Sequence, residues 1–508
     1  MQALRFTLFL FLVPLTLLAQ RPTGGGIPPT GGNIPGQRQQ GDYKEENPDT
    51  ATIYYFYADA INEKIRFVDT LLGNYFEQFD PTRKRDLEYG HLGTVGTAAR
   101  PLVFSPQLHQ GVEVGLNQFD LYREDAKLKF FKVHKAFTDV YYSQGGEQND
   151  GYFKLNFARN FANGIKLSLH HERIYHLTTE TPIQQNGSYL PQRTRYTIFG
   201  AGLWYHAKNE KYDGFLSYQS DVMEHADHGG ITSESEAQLL AGSVIDFTLN
   251  THLESASTRH DHSELAYQHY YRLAAKKDST GTTRRAFNFA HKIALKNSTY
   301  KYADDSQELS TEVYNPFPID SRGMRHFIDL RTIDNHFRIN TNRDARSGGG
   351  DLLEVGLRHS FHQLNLEPID SSLNNLYLTA KLNFSLKDRL RLNTYGHYGI
   401  LANGGDYRLD GTLFVDLAKA GQLEVKAVSQ RYTPTLMQQK LFINKTEFWR
   451  NDFKKPIENS VSATYTTPKF PISLTGRINL LDNHIYFDSL GLAQQNNGAI
   501  SVFQSIEK

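Results

Sequence analysis

The sequence predicts an all-β protein, a transmembrane antiparallel β-barrel of about 14–18 strands. Three observations support this fold class. Apolar and polar residues alternate over long stretches, the stretches are long enough to cross a bilayer, and short connections recur between them. A transmembrane strand needs about 9–11 residues, whereas strands of soluble proteins average about 5–6.

The composition of the 508-residue chain excludes several classes of protein. Lys and Arg number 55, as do Asp and Glu, so there is no overall attraction to nucleic acid. The absence of Cys excludes disulfide scaffolds, Cys-ligated metal sites and thiol nucleophiles. A mean hydropathy of −0.53 is too polar for a bundle of membrane helices, and 12% aromatic residues are too many for a disordered chain.

Residues 1–20 have the pattern of a secretory signal peptide. Arg5 precedes an apolar run at 6–18, and a small residue follows near a cleavage point. A membrane-spanning helix would need about 20 apolar residues, and this shorter run contains Pro14. The chain is therefore expected to be exported to the bacterial cell envelope, where a protein without disulfides can persist.

Three further parts follow the signal peptide. Residues 21–41 are mostly Gly, Pro, Gln and Thr, which predicts a flexible tether. Residues 42–130 mix short apolar runs with Gly and Pro, and we expect a periplasmic or plug-like N-terminal segment. Residues 131–508 carry the alternation and should form the barrel.

The clearest alternation lies at 376–386. Leu378, Leu382 and Phe384 fall on one face, and Lys381 and Asn383 fall on the other. In a membrane barrel one such face meets lipid and the other a wet lumen, and the sheet must close so that every backbone group is paired. A soluble sandwich or propeller also has alternating strands, but strand length and polarity favour the barrel.

The connections follow the pattern of outer-membrane barrels, which have short periplasmic turns and longer outer loops. A first strand at about 136–144 should run outward from the periplasm. Short links occur at 160–164, 208–211, 387–388 and 418–422, and long polar links occur near 177–192, 221–242 and 273–284.

Charged residues on the strands should face water, because Arg or Lys on the lipid face costs about 2–4 kcal/mol at the midplane. Basic residues predominate among the lumen-facing candidates, which indicates a mild preference for anions unless loop charges reverse it. The predicted pore-lining residues are Lys292, Lys296, Arg358, Lys381, Asn383, Arg389, Arg391, Asp410, Asp416 and Arg477.

Other chemistry has weak support in the sequence. His260 and His262 could share a metal on a strand, but no Asp, Glu and His set has the spacing of a metal site. No nucleophile elbow or phosphate-binding loop is present. We expect no catalytic, cofactor-binding or metal-binding residues and no enzymatic activity.

Several stretches resemble a known family. They are IYYF at 53–56, FDP at 79–81, HLGTVGTAARPLVFSP at 91–106, AFTDVYY at 136–142 and HGGI at 228–231. The chain resembles the bacteroidetal putative porin family of outer-membrane β-barrels over most of its mature length. The family's Asn-Leu-Gly-Asn-Leu-Gly pattern is replaced by HLGTVG, which weakens any role tied to those asparagines.

The resemblance implies an outer-membrane channel for passive diffusion of small hydrophilic solutes, with membrane lipid and these solutes as its partners. It supplies no catalytic residues. The alternative is a surface-exposed barrel whose extracellular loops bind a ligand or partner without conduction. The family usually ends in a terminal strand with an aromatic last residue, whereas this chain ends SVFQSIEK, which predicts C-terminal truncation. The oligomeric state is open.

Overall fold

The computed structural model describes residues 53–61, 65–67, 89–92, 96–123, 127–144, 150–176, 193–209, 211–241, 250–273, 276–277, 283–284, 287–306, 311–342, 351–386, 389–468 and 472–507. The predicted signal peptide and tether lie outside the described residues, as does the predicted connection at 177–192.

Within the described ranges, five short strands precede the main sheet. They are β1 (Tyr54–Phe56), β2 (Ile65–Arg66), β3 (Tyr89–His91), β4 (Ala99–Pro101) and β5 (Phe130–Lys132). The strands that follow are β6 (Phe137–Gln144), β7 (Asp150–Asn160), β8 (Ile165–His176), β9 (Thr194–His206), β10 (Tyr212–Ala226), β11 (Ser257–Arg272), β12 (Lys276–Lys277), β13 (Thr283–Arg284), β14 (Phe287–Asp304), β15 (Met324–Asn342), β16 (Asp351–Asn365), β17 (Asp370–Leu386), β18 (Leu390–Gly399), β19 (Tyr407–Asp416), β20 (Gln422–Arg431), β21 (Lys440–Ile443), β22 (Thr446–Arg450), β23 (Ile457–Thr466), β24 (Ser473–Asp482), β25 (Ile485–Phe487), β26 (Ala493–Gln495) and β27 (Ile500–Glu507).

Sixteen of these strands form one antiparallel sheet in the order β6-β7-β8-β9-β10-β11-β14-β15-β16-β17-β18-β19-β20-β23-β24-β27. Each strand pairs with the next one of the sheet along the chain. This confirms the all-β prediction and its strand number. The edge strands β6 and β27 do not pair with each other within the described residues.

The helices of the described residues are short; the first precedes the main sheet and the others lie in its connections. They are α1 (Asp120–Arg123), α2 (Ser233–Leu240), α3 (Thr311–Tyr314) and α4 (Leu436–Gln439). In the part of the chain that the structure describes, no helix combines the length and the apolar character needed to cross a membrane.

The strands are longer than the sequence predicts. β14 has 18 residues and β15 has 19, against an expected length of about 9–12. At about 3.3 Å per residue such strands exceed a hydrocarbon layer of about 30 Å even when tilted. The predicted connection at 221–242 also starts too early, because β10 pairs with its neighbours as far as Ala226. Asp221 and His225 are buried polar residues of this strand, which gives its end the composition of a loop.

Strand direction sorts the connections onto two rims. The connections after β7, β9, β17 and β19 lie on the short-turn rim, as predicted, and the connections after β10, β14, β20 and β24 lie on the long-loop rim. β11 runs toward the short-turn rim, so β12 and β13, which belong to the connection predicted as an outer loop at 273–284, follow it on that rim. Loop length alone therefore assigns the wrong rim there.

The sheet has an apolar outward face and a polar inward face. Leu265, Leu295 and Ile333 form one outward row across β11, β14 and β15, with exposed fractions of 46%, 50% and 42%. On the inward face Gln430 and Asn479 are fully buried. This inverts the usual arrangement of a soluble protein, in which large apolar side chains lie inside.

Candidate functional site

The described parts of residues 53–133, here called the N-terminal segment, pack against the inward face of the sheet. β1 pairs with β5 and presents Phe56 and Phe130 to the sheet. Phe56 meets Trp204 edge-on with 4.9 Å between ring centroids, and Phe130 meets Phe215 at 5.0 Å. Such aromatic pairs contribute about 0.5–1.5 kcal/mol beyond the area they bury. The segment and the sheet therefore share one apolar cluster.

Hydrogen bonds from the sheet anchor a 3₁₀ turn of the segment at Ala58–Ala60. The hydroxyl of Tyr270 donates to the carbonyl oxygen of Ala58 at 2.7 Å, and the side-chain amide of Gln268 donates to the same oxygen at 3.0 Å. Both donors are buried side chains on β11. Because a buried donor left without an acceptor costs about 1–3 kcal/mol, these bonds hold the turn in place.

Within this turn, Asp59 places a carboxylate between two cations of the sheet. Its oxygens lie 3.8 Å from Nζ of Lys292 and 3.9 Å from Nη2 of Arg338. Burial against the sheet acts to raise the pKa of Asp59, but the positive charges of Lys292 and Arg338 hold this pKa well below its usual range. The side chain is 62% exposed to the adjoining cavity, so water screens both ion pairs. The pairs orient the turn more than they stabilise it.

A second part of the segment contacts the 432–456 connection of the long-loop rim. The side-chain amide of Gln430 donates to the carbonyl oxygen of Gln107 at 2.5 Å, and its oxygen accepts from the backbone N–H of His109 at 3.2 Å. The His109 ring stacks on Tyr432 with 3.7 Å between centroids. The segment is therefore hydrogen-bonded to a strand of the sheet and stacked on a residue of the connection that follows it.

A cavity of about 2180 Å³ lies between the N-terminal segment and the inward face. Small-ligand sites usually measure about 300–1,000 Å³, so this space is larger than one ligand needs. Its charged lining consists of nine cations (Arg100, Arg123, Lys127, Lys129, Lys154, Lys296, Arg358, Lys426 and Arg477) and four carboxylates (Asp59, Glu113, Asp120 and Asp139). An excess of one sign in an enclosed space attracts counter-ions, here anions.

Five side chains form a chain of ion pairs across four neighbouring strands of the sheet, β11, β14, β15 and β16. Glu264 accepts from Lys292 at 2.9 Å and lies 3.5 Å from Lys296. Lys296 also lies 3.5 Å from Asp334, which accepts two bonds from Arg358 at 2.8 and 2.9 Å. The two-bond geometry fixes the Arg358 guanidinium, since a planar fork matches a carboxylate.

Asp120 is a cavity-lining carboxylate with an altered titration. Enclosure within the cavity raises the pKa of Asp120 to about 6; Arg123 opposes this rise and Glu113 adds to it. The Arg123 guanidinium forms an ion pair with Asp221 of β10 at 3.0 Å, so its charge only partly offsets that of Asp120. The charge of the cavity therefore changes between about pH 5 and pH 7.

The structure distributes the ten predicted pore-lining residues over four places. Lys292, Lys296 and Arg358 belong to the ion-pair chain. Arg477 lines the cavity and donates to the carbonyl oxygen of Phe104 at 2.9 Å. Farther along the inward face lie Lys381, Asn383, Arg391 and Asp410, whereas Arg389 and Asp416 lie at the turns of the short-turn rim.

The acidic residues of this site, Asp59, Asp120, Glu264 and Asp334, are not among the predicted pore-lining residues. On β15, Asp334 lies on the face opposite to the apolar residues Ile333 and Ile339. The period-two pattern could therefore have predicted that Asp334 faces inward. Glu264 on β11 sits in a stretch rich in His and Tyr without a clear apolar face. Asp59 and Asp120 lie in irregular chain, and only the folded structure brings them to the cavity.

His260, one of the histidine pair at 260 and 262, links the sheet to the N-terminal segment. Nδ1 of His260 lies 2.9 Å from the Arg123 guanidinium and Nε2 lies 3.1 Å from the Ser298 hydroxyl. Because arginine is always a donor, Nδ1 accepts and the imidazole is neutral. Among the described residues, no group of three or more His, Asp or Glu could hold a metal ion.

Comparison with known proteins gives a family. The sequence model of a family described as putative porin matches residues 52–506. A comparison with curated sequences found no match.

Solved structures give more distant similarities. They include the siderophore receptor PirA from Acinetobacter baumannii (10% identity, TM-score 0.45), a variant ferric enterobactin receptor from Pseudomonas aeruginosa in complex with enterobactin (10%, 0.46) and the copper transporter OprC (10%, 0.45). Each similarity covers 73% of this chain. The chain spans only 57%, 59% and 57% of those proteins, respectively.

Proposed function

The chain belongs to the putative porin family, and from this premise we propose that it forms an outer-membrane channel for passive diffusion of small hydrophilic solutes. The observation that carries the proposal is the inverted sheet. Its outward rows of exposed apolar side chains suit lipid, and its inward face borders a cavity of about 2180 Å³ with a charged lining. The proposal assigns the chain no catalytic activity.

The charge of the cavity supports a preference for anions. Nine cations and four carboxylates line the space. A lining with an excess of one sign selects permeants by charge, and a wide cavity does so weakly because water screens the field. The expected permeants are small, hydrated and anionic or neutral.

Placement in the outer membrane fits both the sequence and the sheet. The signal-like pattern at residues 1–20 would deliver the chain to the envelope. An antiparallel sheet with an outward apolar face then needs lipid around it, because an exposed apolar belt of this extent would otherwise aggregate.

Planar-bilayer recording tests the channel. The full chain, purified in detergent and shown to be folded by heat-modifiable gel mobility, should produce stepwise conductance in symmetric KCl. In a KCl gradient the reversal potential should shift toward chloride. Heat-denatured protein at the same concentration is the control. Folded protein that inserts but gives no steps would contradict passive diffusion.

One observation favours the alternative function, a barrel that binds a partner through its loops without conduction. The N-terminal segment occupies part of the lumen and is hydrogen-bonded to the 432–456 connection through Leu436 and Met437. A segment that stays in place would block solutes larger than the remaining gaps. Conductance that appears only after limited proteolysis of the segment would favour this second function.

A further inference from the structure

Charged side chains form a row on the outward face of the sheet near the long-loop rim. Register pairs align Arg195 of β9 with Glu224 of β10, Glu224 with Arg259 of β11, and Arg259 with Lys301 of β14. All four belong to the face that is apolar farther down, so they point away from the lumen. This row plays no part in the cavity.

The row stands above the apolar part of the same strands. Six residues toward the short-turn rim, another register row contains Ala201, Tyr218, Leu265 and Leu295. The intervening outward positions are mixed. Most are neutral and polar, two are apolar (Phe199 and Val222) and one is charged (Asp261), so the surface becomes more polar toward the charged row. Six residues span about 20 Å along a strand, and a strand tilt of about 35–45° reduces the height to about 15 Å. That height reaches the head-group layer that borders the hydrocarbon.

Two more outward cations lie on the neighbouring strands, closer to the apolar row. Arg173 pairs with Thr197, two residues below Arg195, and Arg331 pairs with Asn297, four residues below Lys301. Arg173 on β8 lies outward with its guanidinium carbon 4.9 Å from the Tyr175 ring, and Arg331 on β15 is 67% exposed. The outer cation patch is defined here as Arg173, Arg195, Arg259, Lys301 and Arg331.

The patch keeps donors free for a ligand. Its neighbouring carboxylates are Glu224, Asp261 and Asp329, which are fewer than the five cations. Glu224 accepts from both Arg195 and Arg259, which are still 42% and 47% exposed. Each guanidinium has five N–H donors, more than these contacts use. Within the described residues, Arg173 and Lys301 have no carboxylate partner.

We propose that the outer cation patch binds the anionic, phosphate-bearing head groups of lipids in the surrounding leaflet. A guanidinium binds phosphate through paired N–H bonds, and an ammonium adds a mobile point charge. Apolar side chains of the same strands would hold the acyl chains of the same lipid. The inference rests on the proposed membrane orientation and not on conduction.

Lipid retention tests the proposal. The full chain in detergent is mixed with equal amounts of phosphatidylglycerol and phosphatidylcholine that carry the same acyl chains, and retained lipid is counted by native mass spectrometry after gel filtration. Phosphatidylglycerol should be enriched about tenfold, since each basic residue near an anionic surface contributes a several-fold preference. A triple variant, Arg173→Gln, Lys301→Gln and Arg331→Gln, should lose most of that enrichment.

The matched control removes three exposed cations of the short-turn rim: Lys208→Gln, Lys211→Gln and Lys419→Gln. It should keep the enrichment, and heat-modifiable mobility should show that both variants fold. Equal enrichment in the two triple variants would overturn the proposal. Loss of enrichment upon addition of millimolar inorganic phosphate would also overturn it, because the ligand would then be the free anion. Conductance of the patch variant should equal that of the unmodified chain, so failure of the channel is distinguished from failure of the patch.

Discussion

The backbone N–H of Leu436 donates to the carbonyl oxygen of Glu113 at 2.8 Å, and this bond joins a long-loop connection to the N-terminal segment. The N–H of Met437 adds a second bond, to Val114 at 3.2 Å. Loop and segment therefore share a short backbone ladder inside the lumen. The segment cannot leave the lumen without breaking it.

Leu436→Pro should loosen the segment and raise the frequency of large conductance steps. Leu436 is the first residue of α4, where proline fits, and Thr435 before it is already extended. Proline removes the N–H, and losing one hydrogen bond costs about 1 kcal/mol, which makes the released state several-fold more populated. Leu436→Ala keeps the N–H and is the control. Identical single-channel records for the two variants would contradict this role of the bond.

Gly202→Ala should weaken docking of the N-terminal segment. An added Cβ would lie 2.7 Å from a Leu128 methyl and 2.8 Å from the Phe130 ring. Overpacking of this kind costs about 1–3 kcal/mol. Limited proteolysis should cut the segment faster in this variant. Gly476→Ala, where no heavy atom lies within 4 Å, should behave like the unmodified chain; faster cleavage of both would show that docking is not the cause.

Ion selectivity should depend on pH through Asp120, whose raised pKa of about 6 keeps the carboxyl protonated at pH 5 and charged at pH 7. The cavity is then more positive at pH 5, so the reversal potential should shift further toward chloride. For the same reason the contribution of this group to stability falls as pH rises from its ordinary value near 4 toward 6.

Asp120→Asn should remove this pH step in selectivity. Asp488→Asn is the matched control, because backbone N–H groups, that of Leu492 first, hold the pKa of Asp488 below its usual value and keep it charged at both pH values. The role of Asp120 is refuted if its variant retains the full shift.

Asp334→Asn should destabilise the sheet by about 3 kcal/mol, because it leaves Arg358 and Lys296 without their shared acceptor. We expect the low end of the range for buried pairs, since Arg358 is 22% exposed. Urea unfolding in lipid vesicles measures this loss. The double variant with Arg358→Gln should recover part of it. Asp320→Asn, at an exposed pair with Arg322, should have no measurable effect.

Leu265→Arg should destabilise the vesicle-inserted protein by about 2–4 kcal/mol, the cost of an arginine on the lipid face at the midplane. Asn383→Arg on the inward face of β17 should change stability little, because its new charge meets water. Comparable losses for both variants would show that the outward face does not contact lipid.

The sequence predicts which face of the sheet a residue lies on more accurately than it predicts where a strand ends. At Leu376–Leu386 the period-two pattern assigns every residue to the side where the structure has it. The last residues of β10 are predicted as a loop, because the inward-facing Asp221 and His225 are polar residues of the kind found in loops. Alternation shows only whether a side chain contacts water. Polar residues that face a water-filled lumen therefore cannot be distinguished from polar residues of a loop.

Docking of the N-terminal segment escapes prediction for a different reason. The contact of Phe56 with Trp204 joins an irregular stretch to a distant strand, and no periodic pattern marks either partner. The cations of the site are visible on strands because they interrupt apolar runs. Asp59 and Asp120 lie outside the strands, so their approach to those cations depends on tertiary structure alone.

The N-terminal segment also constrains the order in which the protein is assembled. It is synthesised before all sixteen strands of the sheet, yet Phe104 accepts a hydrogen bond from Arg477, 373 residues later along the chain. We therefore expect the segment to be in place against the sheet when the last strands, β24 and β27, join it. Supplying the segment as a separate peptide after the wall has been built should fail to restore the native arrangement.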